Sequence, residues 1–205
     1  MTNRLLMCGI VAGPLFLVAV LVQAATRPGF DLGYHPISLL ALGDGGWVQI
    51  GAFVLAGSLT VACAAGLRRE QGGWGPLLLG VFGAGLVVAG AFVTDAGAGF
   101  PPGAPAGAPE TSWHGALHNV GFALAVGGMT VGALVLARRF GKAGERGWAA
   151  VCVAAAVVPV ALGAWPDPDG LSVRLLLATC VQFAFLAALA ALAGRELHVR
   201  ERAAT

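Results

Sequence analysis

Two histidines four residues apart, His114 and His118 in the stretch TSWHGALHN, stand where a polar loop runs into an apolar segment. On a helix, residues i and i+4 share a face. Both imidazoles can therefore turn the same way, as two ligands of one metal ion must. Zinc takes three or four ligands, and a catalytic zinc leaves one position for water. Asp95, which closes the stretch GAFVTD, is the acid best placed to complete the set. Further upstream, YHPIS supplies His35 and, one helical turn on, Ser38. The chemistry these types point to is hydrolysis: zinc held by Asp95, His114 and His118 brings the pKa of bound water to about 7 and polarises an amide or ester carbonyl. His35 or Ser38 would position that water or stabilise the oxyanion. The HxxxH spacing lacks the glutamate of the zincin motif, so it is not specific by itself. His114 has a plain alternative, solvation at a membrane boundary beside Trp113. His118 lies one turn deeper, and ionisable groups inside membrane segments are functional candidates because their burial is expensive. Asn119 beside it is expected to hydrogen-bond between helices.

The elements that must position these groups follow from composition. The chain has 205 residues, 58% of them hydrophobic and 11% charged, with a mean hydropathy of +0.82. A soluble domain carries about 25% charged residues, so this chain lacks the polar surface to face water all round. A transmembrane helix needs roughly 20 mainly apolar residues. Six runs qualify: residues 5–25, 47–67, 75–93, 115–137, 148–165 and 173–193. The expected fold is all-α, a polytopic membrane protein forming a single six-transmembrane-helix bundle over residues 1–205. The first run, preceded by Arg4 and followed by VQAAT, is read as a retained helix because it is long for a secretory h-region.

Charge sets the expected orientation. With the N-terminus in the cytoplasm, ten of the twelve basic residues fall on the inner side, and only Arg27 and Arg174 lie outside. That asymmetry is the positive-inside pattern. It predicts a cell-membrane protein with both termini cytoplasmic and the histidine–aspartate–serine group on the extracytoplasmic side. Three of the four histidines and six of the ten acids also fall there. His198 is expected to be only solvated.

The remaining signals are structural. The runs GVFGAGLVVAG and GFALAVGGMTVGA repeat small residues at three- and four-residue spacing, including Gly128 and Gly132; such faces let helix backbones approach closely in lipid. Pro14 and Pro159 lie inside spans and are expected to kink them. Asp31 and Asp44 flank glycines and read as turn residues, while Asp167 and Asp169 in WPDPDG read as turn and helix-capping residues. The Gly-Pro-Ala segment GAGFPPGAPAGAP reads as a mobile low-complexity linker. The cysteines, Cys8, Cys63, Cys152 and Cys180, form no CxxC pair and read as small buried apolar side chains. A net charge of +2 without a basic patch argues against nucleic acid.

The stretch HPISLLALGDGGW resembles the DUF998 family of six-helix bacterial membrane proteins. His35, Pro36, Ile37 and Ser38 carry the match, with Asp95 after the third span and the histidines that start the fourth. The resemblance covers essentially the whole chain and implies the six-helix architecture; it brings no activity with it. Where the family's loop often reads HPISDLG, this chain has Leu39 and Leu40, so no role of that acid carries over. A looser similarity links His35, Ser38, Asp95, His114 and His118 to the alkaline ceramidases and progestin-adipoQ receptors. Those are seven-helix proteins that hold zinc through helix-borne His and Asp near a Ser. The PIS pattern is also similar to the six-helix Frag1/DRAM/Sfk1 proteins, associated with lipid handling. Both comparisons imply a membrane lipid as substrate or ligand.

Three functions are therefore in play. The first is a zinc-dependent, hydrolase-like lipid-modifying enzyme with His35 and Ser38 as catalytic residues. The second is a non-catalytic lipid-binding or membrane partner protein using the same groups. The third is haem or quinone binding through His35 and His118. A proton-coupled carrier is disfavoured, because no span carries a charge at its middle, where transport sites sit.

Overall fold

In the structure, a computed structural model, residues 1–107, 110–166 and 170–203 are described. Six helices form: α1 (Thr2–Thr26), α2 (Gly46–Gln71), α3 (Trp74–Ala91), α4 (Trp113–Lys142), α5 (Arg146–Gly163) and α6 (Leu171–Ala203). All six are long and apolar enough to cross a membrane, and the protein is an integral multi-pass membrane protein. The helices outrun the apolar segments where polar ends are locally satisfied. The tail of α6 carries a Glu196–Arg200 pair at i,i+4 spacing, 3.6 Å apart, and Arg200 also lies 3.9 Å from Glu70.

Each helix packs on its chain neighbours, and α6 closes back on α1, so the six form a ring. Small residues set the spacing. A Cβ added at Gly128 would lie 2.7 Å from the Phe82 backbone nitrogen, and one at Gly83 would lie 2.7 Å from the Gly57 carbonyl oxygen. The α3 backbone thus runs in direct contact with both α2 and α4. Between α1 and α2, the Gln23 amide donates to Gln49 Oε1 at 2.8 Å and to the Ala19 carbonyl at 3.0 Å. Both side chains are buried, and nothing in the hydropathy pattern marks this pair. Tryptophans Trp47, Trp113 and Trp165 stand exposed at one end of the bundle and Trp74 at the other, the interfacial placement that suits an amphipathic ring.

One end of the ring holds both termini and the short α2–α3 and α4–α5 turns. The other holds the three longer connections. There, a short 3-10 helix (Ile37–Ala41) interrupts the first connection and buries Leu39, Leu40 and Ala41. Arg27 donates to the carbonyls of Leu40 and Leu42 and lies 5.6 Å from the Phe100 ring centre. The Gly-Pro-Ala segment expected to be a linker is folded over its described residues. Ala98 N–H donates to the Gly107 carbonyl, Gly99 N–H to that of Pro105, and Phe100 is buried against Phe30 and His35. One aromatic side chain supplies the burial that its composition lacks. Asp31 is the turn residue expected, its carboxylate accepting from Gly33 N–H. Asp167 and Asp169 lie outside the described residues; Ser172 donates to the Tyr34 carbonyl, tying α6 to the first connection.

Candidate functional site

The two histidines of TSWHGALHN do share a face of α4, and that face meets the C-terminal end of α3. A helix leaves its last four carbonyls without intrahelical partners. His118 Nδ1 lies 2.8 Å from the Ala89 oxygen and 3.0 Å from the Phe92 oxygen, and His114 Nδ1 lies 2.8 Å from the Val93 oxygen. Carbonyls only accept, so each Nδ1 carries the proton and donates. The opposite exchange starts at Asp95. Its carboxylate accepts from Ser112 Oγ at 2.6 Å and from Ser112 N–H at 3.0 Å. Ser112 is the N-cap of α4, accepting from Gly115 N–H at 3.1 Å. A side chain at Gly115 would collide with the Asp95 carboxylate. The corner between α3 and α4 is thus cross-capped: histidines of α4 satisfy the end of α3, and the aspartate after α3 fixes the start of α4. The two Ser112 bonds, with His114 and His118 nearby, hold the Asp95 carboxyl below its ordinary pKa.

This geometry sorts the five expected site residues. Asp95 and His114 come together, with His114 Nδ1 3.7 Å from Asp95 Oδ1. His118, one turn deeper, is buried with Nε2 left over; the structure gives that nitrogen no hydrogen bond among the described residues. His35 is buried elsewhere and clasps two connections. Its Nδ1 accepts from Asp31 N–H at 2.8 Å and its Nε2 donates to the Ala98 carbonyl at 3.0 Å. With both ring nitrogens engaged by backbone, His35 offers neither a base nor an axial haem ligand, and it leaves the candidate site. Asn119 faces outward and makes no hydrogen bond among the described residues, so the helix-to-helix bond expected of it is absent. No group of three or more His, Cys, Asp or Glu able to hold a metal ion is found among the described residues. Asp95 spends one oxygen on each Ser112 donor and each histidine donates Nδ1 to a carbonyl; neither histidine's Nε2 has a hydrogen bond among the described residues.

What the sequence did not reveal is a cavity. About 470 Å³ of space lies inside the ring, lined from all six helices. Phe16, Phe53, Phe82 and Phe183 line its floor, with Phe16 5.1 Å from Phe53 and 5.6 Å from Phe183 between ring centres. His118 stands edge-on to Phe53 at 6.4 Å. Its other polar linings are Ser38, Thr179 and Gln182. The most exposed of its lining residues are Phe122 on α4, Val160 and Gly163 on α5, and Ala164, the C-cap of α5. A second hollow of about 320 Å³ lies among the connections, lined by Tyr34, Ser38, Thr94 and Asp95 among others. Pro36 and Ser38 line both spaces, so the vestibule among the connections and the apolar chamber adjoin at the start of the 3-10 helix. A serine in a period-free loop carries no signal of that position; only the fold of the connection supplies it.

Among known proteins, residues 10–192 match the family model described as "Protein of unknown function (DUF998)". No curated protein and no solved structure matches the chain.

Proposed function

The chain belongs to the DUF998 family, and we propose that it binds one lipid-like amphiphile, its tail in the apolar chamber and its head in the vestibule. The observation that carries this reading is the chamber itself: about 470 Å³, closed by six helices, with few polar groups. Ligand sites are typically about 300–1,000 Å³, mostly apolar, with a small number of placed polar groups. Phe122, Val160 and Gly163 mark the gap between α4 and α5 as the way in from the bilayer. Ser38 and His118 Nε2 are the groups that would fix the ligand's polar junction. The test is lipid retained through purification, measured by mass spectrometry on the wild type and on Gly163→Trp. A Cβ at Gly163 meets only Leu175, at 3.8 Å, so a side chain can be added at this chamber-lining position without a clash at its root. A stoichiometric lipid in the wild type, lost in Gly163→Trp, is expected. No lipid above the detergent background in the wild type would defeat the reading.

One observation favours a second reading, hydrolysis of a lipid amide or ester at the same place. A histidine that donates through Nδ1 to a backbone carbonyl presents Nε2 as a base, the pattern also found around metal-bound histidines. Zinc is the ion that the donor types call for, but the ligand set is incomplete, so the reading rests on His118 and Ser38. Elemental mass spectrometry on the wild type, His114→Ala and His118→Ala tests it for zinc. Cleaved rather than intact lipid in the wild type tests it for turnover.

A further inference from the structure

We propose that the amphiphile's head is an ammonium group, recognised by Asp95; this rests on the binding reading above. The vestibule contains one ionisable carboxylate, Asp95, and no Arg, Lys or His lines it among the described residues. Arg27 of the first connection is turned to the Leu40 and Leu42 carbonyls and the Phe100 ring. No Arg or Lys pairs with Asp95 among the described residues; its charged-type neighbours are His114 and His118, which already donate to backbone carbonyls. Ser112 takes two of the carboxylate's roughly four lone-pair directions, and both of those donors are neutral. The charge of Asp95 is therefore hydrogen-bonded but not neutralised by a lysine or arginine. An anionic phosphate placed there would meet a like charge at short range without a cation to offset it. An ammonium meets an oriented acceptor in a space that Tyr34, Ser38 and Thr94 also line.

The second observation is the geometry of the join. Ser38 borders both hollows, and His118, which lines the chamber and is more than nine-tenths buried, has no hydrogen bond to Nε2 among the described residues. A ligand with a cationic head and a hydroxyl or amide at its first carbons would satisfy Asp95 and His118 in turn while its tail displaces nothing polar.

The experiment uses the full chain in a neutral detergent and three probes with one tail: hexadecylamine, hexadecanol and hexadecyl phosphate. Native mass spectrometry titrations give their relative affinities. The amine is expected to bind best, and Asp95→Asn to weaken it about tenfold while leaving the alcohol unchanged. Because Asp95 also holds Ser112, a second variant guards against misfolding. Thr94→Lys puts a cation in the vestibule without touching that bond, and should turn the preference towards the phosphate. Equal affinities, or a phosphate preference in the wild type, would overturn the ammonium head while leaving the chamber as a site. No binding of any probe would overturn the chamber as a site, and this inference with it.

Discussion

At the scale of single residues, TSWHGALHN is a helix end built to be satisfied from outside itself. In the hydrocarbon, an unpaired backbone carbonyl has no water to turn to, and each one costs several kcal/mol. That is why two histidines, long enough to reach across a helix pair and able to donate, stand where α3 stops. The reciprocal bond from Asp95 makes a definite pH prediction. Its folded pKa is lowered from the usual 3.8, so its stabilisation is fully present above that value and disappears as the pH falls through the folded one. Thermal melting in detergent should hold level from pH 7 to about 4 and drop below it, for this group's part. Asp95→Asn should remove that part of the acid limb. Ser112→Ala should cost about 1 kcal/mol through the lost N-cap, at neutral pH as well. The shared face of His114 and His118 was legible from their spacing. Their targets were not, because the accepting carbonyls lie 21 to 29 residues earlier and carbonyls have no identity in a sequence. His35 fails as a site residue for the same reason: its partner, Ala98, is 63 residues away and contributes only backbone.

At the scale of elements, the spans were legible because membrane length and apolarity are one-dimensional properties. The small-residue faces were legible too, yet the sequence does not say which glycines touch a neighbour. Gly127 and Gly128 are adjacent, and only one is a contact. A Cβ at Gly128 would lie 2.7 Å from Phe82 N and 2.8 Å from Leu78 O, whereas at Gly127 nothing lies within 4 Å. Gly128→Ala must push α3 from α4 and should destabilise by about 1–3 kcal/mol, the usual range for forced overpacking. Gly127→Ala should be neutral or stabilising, by at most about 1 kcal/mol, since alanine is the better helix former. Unfolding of the two variants side by side, followed by circular dichroism in detergent, separates them; equal losses would mean that α3 and α4 do not meet along this face. The misread element is the Gly-Pro-Ala connection. Composition argued for a linker, and Phe100 alone reverses that, because one buried ring against Phe30 and His35 anchors the turns on either side of it.

At the scale of the whole molecule, the ring has two unlike ends, and its placement in the bilayer decides which compartment the vestibule faces. The end with both termini carries Arg4, Arg68, Arg69, Arg138, Arg139, Lys142, Arg146, Arg195, Arg200 and Arg202. The end with the three longer connections carries Arg27, already spent on backbone carbonyls, and Arg174. Basic residues are retained on the cytoplasmic side during insertion, so the vestibule and Asp95 should face outwards. Thiol labelling in intact cells can read this, because the native cysteines lie within helices, Cys63 and Cys152 fully buried. Ala104→Cys, in the second connection, should react with a membrane-impermeant maleimide in whole cells. Glu145→Cys, in the exposed α4–α5 turn, should react only after the membrane is opened. The reverse pattern would place the vestibule in the cytoplasm. A head group selected by Asp95 would then have to come from the inner leaflet, and the gap between α4 and α5, which Gly163 places towards the same end of the bundle, would draw its tail from that leaflet too.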